Sequence, residues 1–151
     1  MRTVLLAALL WGLSSVTSAD DVGIFAAADI QWQEAPKSLP PGATVAVLEG
    51  DPNKDGFFLM CVKMPDGYKV PLHTHGKTER VTVLAGTMNL MMGDHPSAKD
   101  AKKMTVGAFG FWPAGMKHAA WMEGETILQV HGIGPWDITY VDPKDDPRNT
   151  K

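Results

Sequence analysis

Residues 71–86, PLHTHGKTERVTVLAG, contain three side chains whose types and spacing suit metal binding. His73 and His75 are separated by one residue, and Glu79 follows four positions later. Successive side chains of a strand point to opposite faces, so the two imidazoles leave the same face side by side. Imidazole and carboxylate groups are common ligands of divalent first-row metals. The spacing therefore indicates part of a metal site.

The segment GKT at 76–78 predicts a tight reversal, with Gly76 free to adopt a positive φ. Glu79 then begins the returning strand close to the histidines, on a face that it shares with two valines. A carboxylate on an apolar face is costly unless a positive charge meets it, and a divalent cation would meet it. The alternative is an exposed β-hairpin in which Glu79 forms a salt bridge with Lys77 or Arg80.

A second segment, GAFGFWPAGMKHAAW at residues 107–121, has the same layout as the first. It contains a strand-like run, a Pro-x-Gly turn at 113–115, and His118 three residues after the glycine. A histidine at the start of a returning strand again follows a tight turn. This segment therefore offers a third imidazole.

Together the two segments resemble the two motifs of the cupin family. The first motif, G-x5-H-x-H-x3-E-x6-G, is matched at every position, by Gly67, His73, His75, Glu79 and Gly86. The second motif, G-x5-P-x-G-x2-H-x3-N, is matched by Gly107, Pro113, Gly115 and His118, whereas Met122 stands where the family has asparagine. More loosely, the chain resembles exported single-domain cupins and the cupin half of ChrR-type anti-sigma proteins.

The resemblance implies an all-β fold, a double-stranded β-helix or jelly-roll barrel, with one metal ion inside. By the family's pattern the ligands are His73, His75, Glu79 and His118. A six-coordinate ion with four protein ligands keeps two positions for water, dioxygen or a bidentate substrate. The ligand set leaves iron, manganese, nickel, copper and zinc open.

The pattern of the remaining chain predicts the strands that such a barrel needs. Turn signals recur about every 8–12 residues, and no convincing helical stripe appears. The polar stretch 93–104 is predicted to be a solvated loop, and the barrel core is expected over about 43–141. The predicted strands cover 29–34, 45–48, 57–64, 79–84, 87–92, 109–112, 118–122, 126–131 and 136–141.

Residues 1–19, MRTVLLAALLWGLSSVTSA, have the layout of a secretory signal peptide. Its removal would leave a single domain at 20–151, exported to the periplasm or secreted. Arg2 would leave with it, which changes the net charge from −3 to −4. A mildly acidic domain without a basic run predicts neither a nucleic-acid nor a membrane partner. The single cysteine, Cys61, cannot form an intramolecular disulfide.

Other polar candidates are few. Gln129 and His131 share strand parity, opposite to Leu128 and Val130. They are either pocket groups that support the metal site or members of an outward polar face. His95 is predicted to lie in a loop. Because cupins commonly pair through a strand face, a homodimer is expected.

Two functions follow from the resemblance. In the first, the protein is a small metal-dependent dioxygenase, or a related metalloenzyme, that acts on a small organic molecule. In the second, it is a non-catalytic module that binds or senses a small ligand or a metal. The barrel hosts both kinds of protein, so the fold does not separate them.

Overall fold

A computed structural model describes residues 22–149, so the predicted signal peptide lies outside the described part of the chain. The strands are β1 (Gln33–Glu34), β2 (Thr44–Gly50), β3 (Gly56–Met64), β4 (Lys69–Thr74), β5 (Glu79–Met92), β6 (Lys102–Thr105), β7 (Phe109–Trp112), β8 (His118–Gly134) and β9 (Thr139–Tyr140). Short 3₁₀ turns cover Ala27–Asp29, Ala98–Asp100 and Pro147–Asn149. Over residues 22–149, no helix has both the length and the apolar character that crossing a membrane requires.

The strands form one curled antiparallel sheet, and the all-β barrel prediction is confirmed. Neighbouring strands of the sheet follow the order β1-β2-β3-β8-β4-β9. Strand β5 pairs with β8, and it also pairs with β6 and β7. Two strands are unusually long: β8 has 17 residues and β5 has 14. Because β8 pairs with β3, β4 and β5, it connects the two sides of the barrel.

The long strands explain one difference from the sequence prediction. Residues 79–84 and 87–92 were expected as two strands, but they are one strand with register shifts between Val83 and Thr87. Gly86 lies in this shifted region with φ +70°, and an added Cβ would come within 2.8 Å of three atoms of Glu125 and Thr126. The glycine therefore lets β5 bend against β8 without breaking.

The core lies inside the barrel and follows the alternation of the strands. On β8, Met122, Leu128 and Val130 are buried, whereas their neighbours along the strand are more exposed. Similar alternation on β3 buries the even-numbered residues from 58 to 64. The sheet thus has a dry inner face, and the site described below opens into it.

Three other segments differ from the sequence prediction. The stretch 93–104 is not only a loop, because Met104 on β6 packs its side chain into the core and pairs with Met88. Residues 29–34 begin in a 3₁₀ turn, and only Gln33–Glu34 pair, with β2. In 136–141 only Thr139–Tyr140 form a strand, because the residues before them turn inward toward the site.

Candidate metal centre

Three histidines from two separate parts of the chain meet inside the barrel. His73 on β4 lies directly opposite His118 on β8, and His75 follows the end of β4. One nitrogen of each ring lies within 4.8 Å of the other two, and all three side chains are buried. The group could therefore hold a metal ion.

Each ring is oriented by a peptide carbonyl on its outer side. Nδ1 of His73 lies 2.7 Å from the Pro71 oxygen, and Nδ1 of His118 lies 3.0 Å from the Met116 oxygen. Nδ1 of His75 lies 2.5 Å from the Asp137 oxygen. A carbonyl only accepts, so Nδ1 carries the proton in each ring. In a neutral ring Nε2 then presents its lone pair inward, as a metal ligand does.

Glu79 begins β5 and is 7% exposed, beside the histidines. Its Oε2 lies 3.1 Å from Nε2 of His75 and 3.7 Å from Nε2 of His118. The structure therefore does not show the alternative, an exposed hairpin in which Glu79 forms a salt bridge with Lys77 or Arg80.

The inner nitrogen of His75 tests whether these residues fit a metal. Nε2 of His75 is buried and has no hydrogen-bond partner among residues 22–149, although a carboxylate oxygen of Glu79 lies close to it. Two lone-pair groups that face each other in a dry site are unfavourable unless something positive lies between them. A divalent cation would satisfy both, so the residues fit.

The electrostatics of the cluster agree with that fit. Burial, together with the nearby imidazoles of His118 and His75, lowers the pKa of His73 to about 3. Burial also disfavours the charged form of His75, but the Glu79 carboxylate outweighs it and the pKa of His75 is raised. For Glu79, burial is outweighed by contacts with His118 and His75, so the pKa of the carboxyl lies well below its usual range. At neutral pH the site therefore contains a charged Glu79 carboxylate and a neutral His73 ring.

Without metal, the protein is expected to lose stability as the pH falls from 6.5 to 4. The pKa of His73 is lower in the folded protein than its ordinary 6.5, so the unfolded chain takes up the proton first, which costs roughly 3 kcal/mol by pH 4. The lowered pKa of Glu79 acts in the same direction below 4.5. The raised pKa of His75 opposes the loss, because it adds stability below 6.5 that disappears as the pH rises.

Urea unfolding of chelator-treated protein at several pH values measures this dependence. A His73→Gln variant is the control, and its unfolding free energy should fall less over the same range. A parent whose stability stays flat or rises between pH 6.5 and 4 contradicts the prediction.

Trp136 completes the site through a contact with Glu79 that the sequence did not indicate. Its indole Nε1 donates to Oε1 of Glu79 at 3.0 Å, and its ring stacks on His75 with centroids 5.7 Å apart. One carboxylate oxygen is thus held by the indole, while Oε2 faces the imidazoles. Trp136 lies 57 residues from Glu79 in the chain, so only the fold brings them together.

Replacing Trp136 with phenylalanine is expected to weaken metal binding roughly tenfold, because the partner that orients a ligand contributes about that much. Competition with a chromophoric chelator measures the affinity. Trp112→Phe is the matched control, since Trp112 lies in the same cavity but its buried Nε1 has no hydrogen-bond partner in the described part of the chain. Equal effects of the two substitutions would rule out the hydrogen bond as the cause.

The reversal after His75 differs in detail from the prediction. Gly76 does not adopt a positive φ. Instead its N–H donates to Oδ1 of Asp137 at 2.8 Å, and an added Cβ would lie 3.0 Å from that oxygen. Glycine suits this position because the Asp137 side chain lies so close that a larger residue would have little room. The main-chain carbonyl of the same Asp137 orients His75.

A cavity of about 60 Å³ opens beside the four residues. Apart from His73, His75, Glu79 and His118, every side chain that lines it is aliphatic, a methionine or a tryptophan. Met122 is one of them and is 2% exposed. The residue at the second motif's usual asparagine position thus contributes a thioether to the wall.

Gln129 and His131 do not line this cavity, which corrects the idea that they are pocket groups. They alternate with the inward-facing Leu128 and Val130 and lie on the outer face of β8. There the ring of His131 packs between those of Phe57 and Phe109, with centroids 6.4 and 6.3 Å away. Both residues therefore lie on the outward face of the strand, which was the second interpretation of their positions in the sequence.

The model of one protein family, Domain of unknown function (DUF4437), matches residues 15–139. The chain belongs to this family. No curated protein matches the sequence of this DUF4437 member.

Solved structures show which fold the DUF4437 chain shares. The polyketide cyclase RemF from Streptomyces resistomycificus is 20% identical, with TM-score 0.68 over 84% of this chain and 90% of RemF. An acetylacetone dioxygenase from Acinetobacter johnsonii is 14% identical, with TM-score 0.64 over 86% and 83%. An RmlC-like cupin from Shewanella frigidimarina is 15% identical, with TM-score 0.57 over 76% and 92%. These likenesses establish the cupin barrel, as the sequence motifs predicted.

Proposed function

We propose that this protein binds one divalent transition metal through His73, His75, Glu79 and His118 and is a small metal-dependent dioxygenase or a related metalloenzyme. The observation that supports it best is the convergence of three inward Nε2 atoms and Oε2 of Glu79 in one buried place. The ion is iron, manganese, nickel, copper or zinc, and the donor set suits each of them.

The chain's own residues would each contribute a defined part. The three carbonyl-oriented imidazoles and Oε2 of Glu79 would hold the ion, and Trp136 would keep Oε1 occupied so that Glu79 binds through one oxygen. The apolar wall would exclude water from the reacting molecule and strengthen electrostatic effects there. When bound, the metal would polarise an oxygen-donor ligand and accept a second small ligand beside it.

A small organic substrate is supported by the cavity, which lies directly beside the ligand group. The structural likeness to an acetylacetone dioxygenase and to a polyketide cyclase makes oxygen-rich organic molecules the first compounds to examine. Beyond the four proposed ligands, none of the residues 22–149 that line the cavity is an acid or a base, so the chemistry would depend on the metal rather than on a separate proton-transfer group.

That same lack of a further acid or base favours the second candidate, a non-catalytic protein that binds or senses a small ligand or the metal itself. Metal analysis followed by oxygen-consumption assays with diketones, flavonols and catechols separates the two, with His118→Ala as the control. The enzyme proposal expects one metal per chain and metal-dependent product formation. Stoichiometric metal with no oxygen uptake and no product across the panel would overturn the enzyme in favour of the binding protein.

We also propose that the protein is exported and pairs with a second copy. The apolar layout of residues 1–19 supports export, and cell fractionation tests it. The outer face of β3, β7 and β8 carries a continuous exposed group, Phe57, Phe109, Phe111 and Ile133, which suits an isologous contact.

Light scattering after size exclusion is expected to give twice the mass of one chain at micromolar concentration. Phe111→Glu should halve that mass, because it places a charge on this apolar face. A parent that is monomeric under these conditions contradicts the dimer.

A further inference from the structure

We infer that the site selects oxygen chelators whose remaining atoms are hydrocarbon, and that Met122 determines this preference. The inference rests on the proposed metal site and goes further by stating what kind of molecule fits beside it. It follows from the order of side chains along β8, from the strands in register with it, and from the apolar character of the described side chains around Met122.

The inward side chains of β8 define the long direction of the cavity. They are His118, Ala120 and Met122, so a proposed metal ligand, a small residue and a long residue follow one another along the strand. Their Cα atoms span about 13 Å at the usual rise of a strand. The small side chain of Ala120 therefore leaves space between the metal group and Met122.

The neighbouring strands surround that space at matching levels. Ala120 pairs with Leu90 on β5 and with Val70 on β4, while Met122 pairs with Met88. All of these line the cavity. The walls beside Ala120 are thus aliphatic, and two thioethers lie at the end away from His118.

Among the described side chains, a polar tail on a bound molecule would find no partner at that end. The unpaired Nε1 of Trp112 belongs to a ring whose centroid lies 4.9 Å from that of His118, at the other end. A buried hydroxyl or carboxylate without a hydrogen bond is strongly disfavoured, whereas a methyl group is not. The volume of about 60 Å³ has room for on the order of four waters, which corresponds to a short tail. Sugar acids and dicarboxylates are therefore poor ligands, and short chelators with an alkyl or other apolar remainder are good ones.

A matched series of hydroxamates tests this on the cobalt-loaded protein. Acetohydroxamate, butyrohydroxamate, 4-hydroxybutyrohydroxamate and succinic monohydroxamate share one chelating head, and the last three differ mainly at the tail end. Affinities come from changes in the visible spectrum of the metal, without any assay of turnover. Butyrohydroxamate is expected to bind at least tenfold more tightly than its hydroxylated relative, and the succinate derivative more weakly still.

Variants then locate the preference. Met122→Asn should reduce the difference between butyrohydroxamate and its hydroxylated relative to less than threefold, with acetohydroxamate unchanged, while Met122→Leu should keep the difference. Ala120→Val should weaken butyrohydroxamate but not acetohydroxamate, because it fills the space beside the head. Circular dichroism confirms that each variant is folded.

The outcomes separate this inference from the proposed function. A parent that takes up no cobalt contradicts the metal site itself. A parent that takes up cobalt and binds acetohydroxamate, yet binds all three longer compounds equally, contradicts only the hydrocarbon preference. Should the parent show the preference while folded Met122→Asn retains it unchanged, Met122 does not determine it.

Discussion

Replacing His118 with alanine is expected to remove stoichiometric metal from the protein. The substitution deletes one of three imidazoles and leaves the Glu79 carboxylate facing His75 alone. Loss of a partner that merely orients a ligand costs 10–100-fold in metal affinity, so loss of a ligand should cost on the order of a hundredfold or more. Elemental analysis after dialysis measures the metal content, and any metal-dependent activity should fall with it.

His131→Ala is the matched control, because His131 lies on the same strand but on the outer face, against Phe57 and Phe109. It should leave one metal per chain. Full metal content in a folded His118→Ala protein, or loss of metal from His131→Ala, would refute the assignment of the ligands.

Replacing Gly86 with alanine is expected to destabilise the barrel by about 3 kcal/mol. The residue has φ +70°, and the added Cβ would lie 2.4 Å from Thr126 Oγ1 and 2.5 Å from the Glu125 oxygen. The left-handed conformation contributes about 1–2 kcal/mol, and the clash with fixed backbone contributes roughly as much again. Urea unfolding measures the change.

Gly124 provides the control for this prediction. It has nearly the same conformation, φ +72°, but an added Cβ would meet no atom of the described residues within 4 Å. Gly124→Ala should therefore cost only about 1–2 kcal/mol, the conformational part alone. Equal losses in the two variants would show that the close approach of β5 to β8 at Gly86 has no energetic importance.

The four proposed ligands could be named from the sequence because two short motifs resemble those of the cupin family. Geometry within the first motif places His73 and His75 on one face and returns Glu79 after a short reversal. The meeting of His118 with these residues, and the barrel itself, were implied only by the resemblance.

Long-range partners could not be predicted in this way. Trp136 reaches Glu79 across 57 residues, and the Asp137 carbonyl reaches His75 across 62. The direction of Gln129 and His131 depended on which face of β8 lies inside, and parity alone leaves that choice open. Strand β6 was missed because only Met104 in its polar segment packs into the core.

The carbonyl groups behind the three imidazoles have a consequence for how this centre can vary. Pro71, Met116 and Asp137 contribute main-chain oxygens, which every amino acid supplies alike. A side-chain replacement at those three positions does not remove the acceptor. The inward orientation of the three Nε2 atoms is therefore kept when the residues that line the cavity change. Mutation can therefore change which molecule the cavity recognises without changing the orientation of the groups that would hold the proposed metal ion.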